Sequence, residues 1–334
     1  MLWSHLSPHS ILKKTLFKIS QLILTILLLS LVAYQADLLT TQGRAVFVTM
    51  FTNANISLLV YAVIFGIVVN LISAYKWFLI SHSQRLGAGY WRIFVYYVVG
   101  QFYNMFLPTS VGGDVVRAYQ LGKFSGRQAD SLASVFVERY TGVVTLLLTA
   151  ATAVLTQVAR FNHSFVLVCL LFFAVGLGLI AWFVIDARPY QWCRAFAVAR
   201  FTKLERLFLK LDKLVLSIDA YRQHPKVLIL AFVNSFVFYL AAVINVYLCA
   251  LAFNSEVQFI DVLIVTPIIM LIMNIPFSFG NIGFMELGYS SMFALMGYAP
   301  ELGLSIAILM RFKSFFDAAL GGVLSPIFVT HKPE

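Results

Sequence analysis

The sequence predicts an all-α, polytopic integral membrane protein, built as inverted repeats that each carry a re-entrant broken-helix hairpin beside spanning helices. Three observations predict it. Of 334 residues, 61% are hydrophobic and only 11% charged, whereas a soluble domain carries roughly 25% charged residues. Five or six apolar stretches approach the ~20 residues that cross a bilayer. The pattern Pro–x–Ser–x–Gly stands twice at corresponding places in matched hydropathy blocks, as Pro108, Ser110, Gly112 and as Pro276, Ser278, Gly280. The whole chain, 1–334, reads as one membrane domain. Residues 10–185 form a first repeat half with an N-terminal helix, 186–226 a basic segment, and 227–330 a second half.

The elements follow in order. Lys13, Lys14 and Lys18 precede an apolar run from Ile19 to Ala36. The run is longer than a signal-peptide core and lacks a clear cleavage site, so it is expected to stay as a first helix with its N-terminus in the cytoplasm. Residues 37–55 hold only Asp37 and Arg44 as charges and read as an outside loop. A second helix spans Ile56–Ile80, with Lys76, Arg85 and Arg92 marking the cytoplasmic side. Residues 93–107 are apolar but too short to cross, and stop at Pro108. Arg92 before them and Arg117, Lys123 and Arg127 after them predict a hairpin that enters from the cytoplasm and returns to it. Broken backbone at that depth is tolerated only where protein or water lines it.

A helix over Asp130–Gln157 then crosses outward and one over Phe165–Ile185 returns. Residues 186–226 carry nine Lys or Arg, the densest cluster in the chain. Within it Phe201, Leu204, Phe208, Leu211, Val215 and Ile218 repeat at helical spacing, with Lys203, Arg206, Lys210 and Lys213 on other faces. This amphipathic helix suits the headgroup plane, or a contact with a second copy of the chain or a partner enzyme. Val227–Phe253 crosses outward, 258–275 is apolar up to Pro276, and a last helix over Gly303–Thr330 returns to a cytoplasmic C-terminus. The expected location is the cytoplasmic (inner) membrane.

The formal net charge of +10 is explained by cytoplasmic loops facing anionic lipid, and no nucleic acid is expected as a partner. Cys169, Cys193 and Cys249 lie far apart without metal or disulfide spacing, and the six histidines are scattered. No metal and no cofactor are expected.

A helix that starts inside a membrane offers backbone N–H groups and the positive end of its dipole to an anion. Gly112 and Gly113 allow close backbone approach. Arg117 lies one turn into the helix after the first break. Arg139 and Arg311 interrupt otherwise apolar helices, 31 and 35 residues after the two prolines. A charge at bilayer depth costs roughly 2.5–3.5 kcal/mol, so it persists where it is paired or lines a polar cavity. Asp114, Glu138 and Glu286 are the candidate partners. Asp114 serves equally as a charge capping its own helix, and Glu138 and Arg139 lie near enough to the interface to snorkel. Glu286 suits a structural pair with Arg311. Lys313 and Asp317 suit an i, i+4 pair. Asn104 and Asn281, beside the breaks, suit freed backbone groups. Tyr96, Tyr97, Phe102 and Tyr103 suit packing.

At these residues the chain resembles the lysylphosphatidylglycerol synthase transmembrane-region family, the flippase-like domain proteins. The resemblance lies in GQFYNMFLPTSVGGDVVRAYQLGK, SVFVERYTG, IPFSFGNIGFMELG and the downstream LMRF, and it covers about residues 10–330. Pro108, Gly112, Gly113, Asp114, Arg117, Glu138 and Arg139 match the family pattern, as do Pro276, Gly280, Gly283, Glu286 and Arg311. Asn281 stands where a glycine often does. The resemblance covers the membrane part of full-length synthases and not their soluble aminoacyltransferase domain, so synthesis of lysyl-lipid is not implied. The resemblance implies translocation of an anionic lipid, a phospholipid or a polyprenyl-phosphate-linked sugar. Its headgroup would meet Ser110, Gly112, Gly113, Asp114, Arg117, Glu138, Arg139, Ser278, Gly280, Glu286 and Arg311, with the three arginines supplying positive field at about mid-depth. No Walker A sequence is present, which leaves an ion gradient or passive movement. Two other readings stand beside it. One is a membrane-embedded polyprenyl-phosphate glycosyltransferase, against which no Asp–x–Asp occurs. The other is an accessory subunit that recruits a glycan or lipid enzyme through residues 186–226.

Overall fold

A computed structural model describes residues 23, 26–106, 112–156, 168, 171–172, 174–179, 182, 190–191, 194, 205–253, 255–274 and 281–329. Most of these residues are helical, with no strand among them, as the composition predicts. The helices are α1 Ile26–Gln35, α2 Thr41–Thr52, α3 Ile56–Ser83, α4 Tyr90–Phe106, α5 Gly112–Ser125, α6 Gln128–Thr156, α7 Glu205–Asp219, α8 Pro225–Ala252, α9 Phe259–Met273, α10 Phe284–Leu295 and α11 Pro300–Val329. Helices α3, α6 and α8 are each long and apolar enough to cross a bilayer. The return helix expected over Phe165–Ile185 lies mostly outside the described residues, as do Pro108, Ser110, Pro276, Ser278 and Gly280.

One segment differs from its expected loop. Within 37–55 the chain forms α2, because the Thr40 hydroxyl accepts the Gly43 N–H (3.0 Å) and caps the helix start. Val46, Phe47 and Met50 then give it an apolar face, and Phe47 packs beside the core contact of Val32, Ala36 and Leu304. The Asn55 side chain caps α3 in the same way, accepting from Leu58, while the Asn55 N–H closes on the Ala252 carbonyl at the end of α8 (2.7 Å).

Helices α3 and α8 pack closely on each other, and small residues set their distance. Asn245 on α8 donates its amide to the Ala62 carbonyl of α3 (2.6 Å), which requires close backbones. Gly321 and Gly322 of α11 do the same against Val98 and Phe102 of α4. Small residues are the usual means of bringing membrane helices together, because lipid tails compete with larger apolar side chains. The outer faces are apolar: Ile56, Val60 and Ile64 line one face of α3, and Ile229, Val233 and Val237 one face of α8, all exposed. In water such stripes would be a large apolar patch; in hydrocarbon they are the solvent-matched surface.

The packing repeats. Helix α4 lies on α11 as α9 lies on α6. The pairs α4–α5, α5–α6, α3–α4 and α3–α6 answer to α9–α10, α10–α11, α8–α9 and α8–α11, and α6–α8 answers to α11–α3. Exchanging α3, α4, α5, α6 with α8, α9, α10, α11 maps these contacts onto themselves.

The basic segment forms α7 at the expected place. Its last turns dock on the bundle: Leu214, Ile218 and Tyr221 pack with Ile80, Ala133, Val137 and Ala231. Leu209 and Leu216 stay exposed. Tyr190 donates to Asp212 of α7. Burial and that carboxylate push its hydroxyl up to about 12.

Candidate functional site

Two charged sites stand at equivalent places in the halves. In the first, Asp114 of α5 accepts from Arg117 one turn on (2.9 Å) and from Arg139 of α6 (2.8 Å). Arg117 also donates to Glu138 (2.6 Å), and Lys76 of α3 meets the other Glu138 oxygen (3.2 Å). Lys76 donates as well to Ser235 of α8 (3.2 Å). The Arg117 guanidinium sits over the Trp77 ring (4.7 Å) and the Tyr97 ring (5.4 Å). Three cations thus share two carboxylates, and Glu138, its side chain 5% exposed, bridges two of them. Such pairing is the condition for charge in a low-dielectric interior.

Lys76 was expected to mark a helix end and instead lies buried inside α3. The apolar run Trp77-Phe78-Leu79-Ile80 that follows it was the available signal. Arg139 departs in the other direction, its side chain 48% exposed beside Asp114. Glu138 and Arg139 are neighbours on α6, so their side chains leave the helix about 100° apart and only one faces the interior.

In the second half Glu286 of α10 holds Arg311 of α11 through both carboxylate oxygens. Arg311 also donates to the Asn281 carbonyl (3.0 Å). Glu286 caps its own helix by accepting from the Gly283 N–H (2.8 Å). Asn281 has φ +55°, in the left-handed region, where Asn is better tolerated than most residues that carry a Cβ. The asparagine in place of glycine is therefore compatible with the turn.

Asp114 and Arg139 are 25 residues apart, and so are Glu286 and Arg311. Registering Asp114 on Glu286 places Arg117 on Tyr289, Glu138 on Met310, and Thr141 and Thr145 on Lys313 and Asp317. It also places Ser131, which donates to the Ala118 carbonyl (2.6 Å), on Gly303, where a Cβ would come within 2.8 Å of Ser290 Cα.

Beside the breaks, described side chains take up backbone groups. Asn104 accepts from the Gly113 N–H (2.7 Å) and Asn281 donates to the Met273 carbonyl (2.8 Å). Gly113 lies against the Gly100 carbonyl of α4, so its missing side chain serves helix packing. The Gly113 N–H is thus taken by Asn104, and the Gly283 N–H by Glu286.

Between the halves lies a cavity of about 630 Å³. Asn70 of α3, Tyr97, Gln101 and Asn104 of α4, Asn245 of α8, Thr266 of α9, Asn281, and Arg311, Lys313 and Asp317 of α11 supply its polar wall. Met105, Met270, Met273, Met285 and Met310 supply much of the rest, an adaptable apolar lining. Gln101 donates to Asn70 (3.0 Å) and Lys313 to Asp317 (2.7 Å). The three arginines do not converge: Arg117 and Arg139 bind the carboxylates of their own half, and Arg311 alone of the three lines the cavity. The position of Lys313 beside Arg311 there was not anticipated.

A family model described as "Lysylphosphatidylglycerol synthase TM region" matches residues 18–321. The chain is 23% identical to a UPF0104 membrane protein of Methanothermobacter thermautotrophicus, covering 80% of this chain and 84% of that protein. It is 21% identical to a UPF0104 membrane protein of Pyrococcus horikoshii, covering 83% and 89%. No solved structure matches it.

Proposed function

The chain belongs to the lysylphosphatidylglycerol synthase TM-region family, and on that premise we propose that it carries an anionic lipid, a phospholipid or a polyprenyl-phosphate-linked sugar, across the cytoplasmic membrane. The observation that carries this reading is the cavity, walled by both halves and holding Arg311 and Lys313. Its volume of about 630 Å³ falls within the range of small-ligand pockets. The headgroup phosphate rests against the two cations, the Asn and Gln groups take its polar remainder, and the acyl or prenyl chains stay in lipid.

The self-mapping contacts support inverted repeats that rock against each other, with α4–α5 and α9–α10 as hairpins from opposite faces. In this arrangement both termini and the basic segment 186–226 face the cytoplasm. The chain then needs no chemistry of its own.

The test is reconstitution of the full chain in liposomes with labelled phosphatidylglycerol or labelled polyprenyl phosphate, read by dithionite quenching. Protein-dependent quenching of the inner-leaflet label is expected with at least one of the two. Both labels keeping a protected leaflet in intact vesicles would overturn the reading.

A further inference from the structure

We propose that Lys313 and Asp317 form an exchangeable pair through which one proton accompanies each lipid headgroup that enters the cavity. The inference rests on the lipid-carrier reading above.

Both side chains line the cavity and are shielded, at 12% and 6% exposure. Lys313 Nζ donates to Asp317 Oδ2 (2.7 Å), while Asp317 Oδ1 is buried without a hydrogen-bond partner. Asn245 Oδ1 and Thr266 Oγ1, also on the cavity wall, are buried without partners too. A buried acceptor with no donor is costly and calls for an occupant.

The repeated scaffold does not require this pair. On the repeat register Lys313 and Asp317 replace Thr141 and Thr145, whose hydroxyls bond the Val137 and Thr141 carbonyls of their own helix. Helix α6 packs on α9 there with no charge in those two positions.

The surroundings leave Lys313 as the cation free to change partner. On the same helix Arg311 is held by two Glu286 oxygens and the Asn281 carbonyl. Helix α10 also presents Tyr289 to the cavity, and α4 presents Tyr97. Helix α3 offers the neutral Gly66 and Asn70, and the Lys313 stem lies across Gly66. Helix α2 meets α11 through Met50 and Ser305, neither charged. Lys313 is thus an ammonium on a flexible stem whose one ion-pair partner among the described residues, Asp317, shares its cavity.

A phosphate monoanion entering the cavity competes for that ammonium. If a phosphate oxygen accepts from Lys313 Nζ, Asp317 is left as a carboxylate in low dielectric without a counter-charge. Such a group neutralises in preference to staying bare. A proton from water on the entry side therefore adds to Asp317. When the lipid leaves on the far side, Lys313 returns to Asp317 and the proton passes to water there. One negative phosphate and one proton cross together, so the step moves no net charge.

The full chain in proteoliposomes with labelled phosphatidylglycerol tests this. A gradient of about one pH unit is expected to bias the label toward the alkaline side, up to about ten-fold for one proton per lipid. A potassium-diffusion potential alone gives no bias. Asp317→Asn removes the response to the pH gradient and Asp317→Glu restores it. Should the asparagine variant be too damaged to read, infrared difference spectra of the solubilised wild type on adding short-chain phosphatidylglycerol decide: a protonated-carboxyl band is expected. Label that moves without pH bias, or that follows the potential, overturns the proton exchange while leaving the carrier reading intact. Absence of any movement of phosphatidylglycerol or polyprenyl phosphate overturns both.

Discussion

The first-half site and the second-half site share one clamp and differ in everything around it. Asp114–Arg139 and Glu286–Arg311 each tie the helix after a break to the long helix that follows, over the same 25 residues. Around the first clamp, Lys76, Arg117 and Glu138 pack into a closed network against Trp77. Around the second, Arg117 and Glu138 are answered by Tyr289 and Met310, and the charge moves along α11 to Lys313 and Asp317 on the cavity wall. One half ties most of its charge into helix contacts. The other sets Arg311, Lys313 and Asp317 on a cavity wall.

The largest expected effect breaks the closed network. Glu138→Gln leaves Arg117 and Lys76 each short of a carboxylate in a buried site. Breaking a buried pair costs about 3–5 kcal/mol, so thermal unfolding of the purified protein in detergent should fall steeply. Adding Lys76→Met removes one stranded cation and should return part of the loss. If Glu138→Gln unfolds like the wild type, the first site is not the structural member of the pair.

Next comes the clamp on the cavity wall. Arg311→Ala should reduce lipid translocation at least about ten-fold, or ~1.4 kcal/mol at the rate-limiting step. Arg139→Ala, outside the cavity wall, should change translocation per folded molecule far less. Equal losses in the two variants would put both clamps in the transport path and dissolve the distinction.

A smaller effect tests whether the second half carries its extra pair for function. The double replacement Lys313→Thr, Asp317→Thr gives α11 the residues that α6 has in register. Replacing a buried ion pair as a unit is often neutral or stabilising, so unfolding should shift by no more than about 1 kcal/mol, while the response of transport to a pH gradient disappears. A stability loss of several kcal/mol would make the pair a strut.

Much of this was legible before any coordinates. The Glu286–Arg311 pair, the Lys313–Asp317 pair, and the service of Asn104 and Asn281 to the breaks all follow from residue type and position. What stayed hidden has physical reasons. Counted from the prolines, the arginines lie 31 and 35 residues away, which blurs the repeat. Counted from the acids the spacing is equal, because Pro108 stands six residues before Asp114 and Pro276 ten before Glu286. Lys76 carries the same residue type as an interfacial marker, and beyond the apolar run that follows it the packing of α5 and α6 against α3 turns it inward. A cavity formed by six separate stretches of chain leaves no local pattern to read. Ser110, Ser278 and Gly280, singled out at the breaks, lie outside the described residues.

The smallest effect probes the register itself. Ser131 donates to the Ala118 carbonyl (2.6 Å), and both residues are fully buried where α6 leaves α5. Its counterpart Gly303 has no side chain, and there α11 approaches α10 with room for none. The hydrogen bond is thus a local addition to a contact that the second half makes without it. The Ala118 carbonyl lies within α5, where helical geometry supplies a backbone donor four residues on, so removing the hydroxyl strands no acceptor. Ser131→Ala should therefore cost only about 0.5–1.5 kcal/mol, read as a modest shift in thermal unfolding with translocation unchanged. Gly303→Ser, the reverse exchange, should be worse despite adding a potential donor, because its Cβ has no space. If instead Gly303→Ser is tolerated and Ser131→Ala is severe, the alignment of α5–α6 on α10–α11 is wrong at this point, and the correspondence of the two clamps with it.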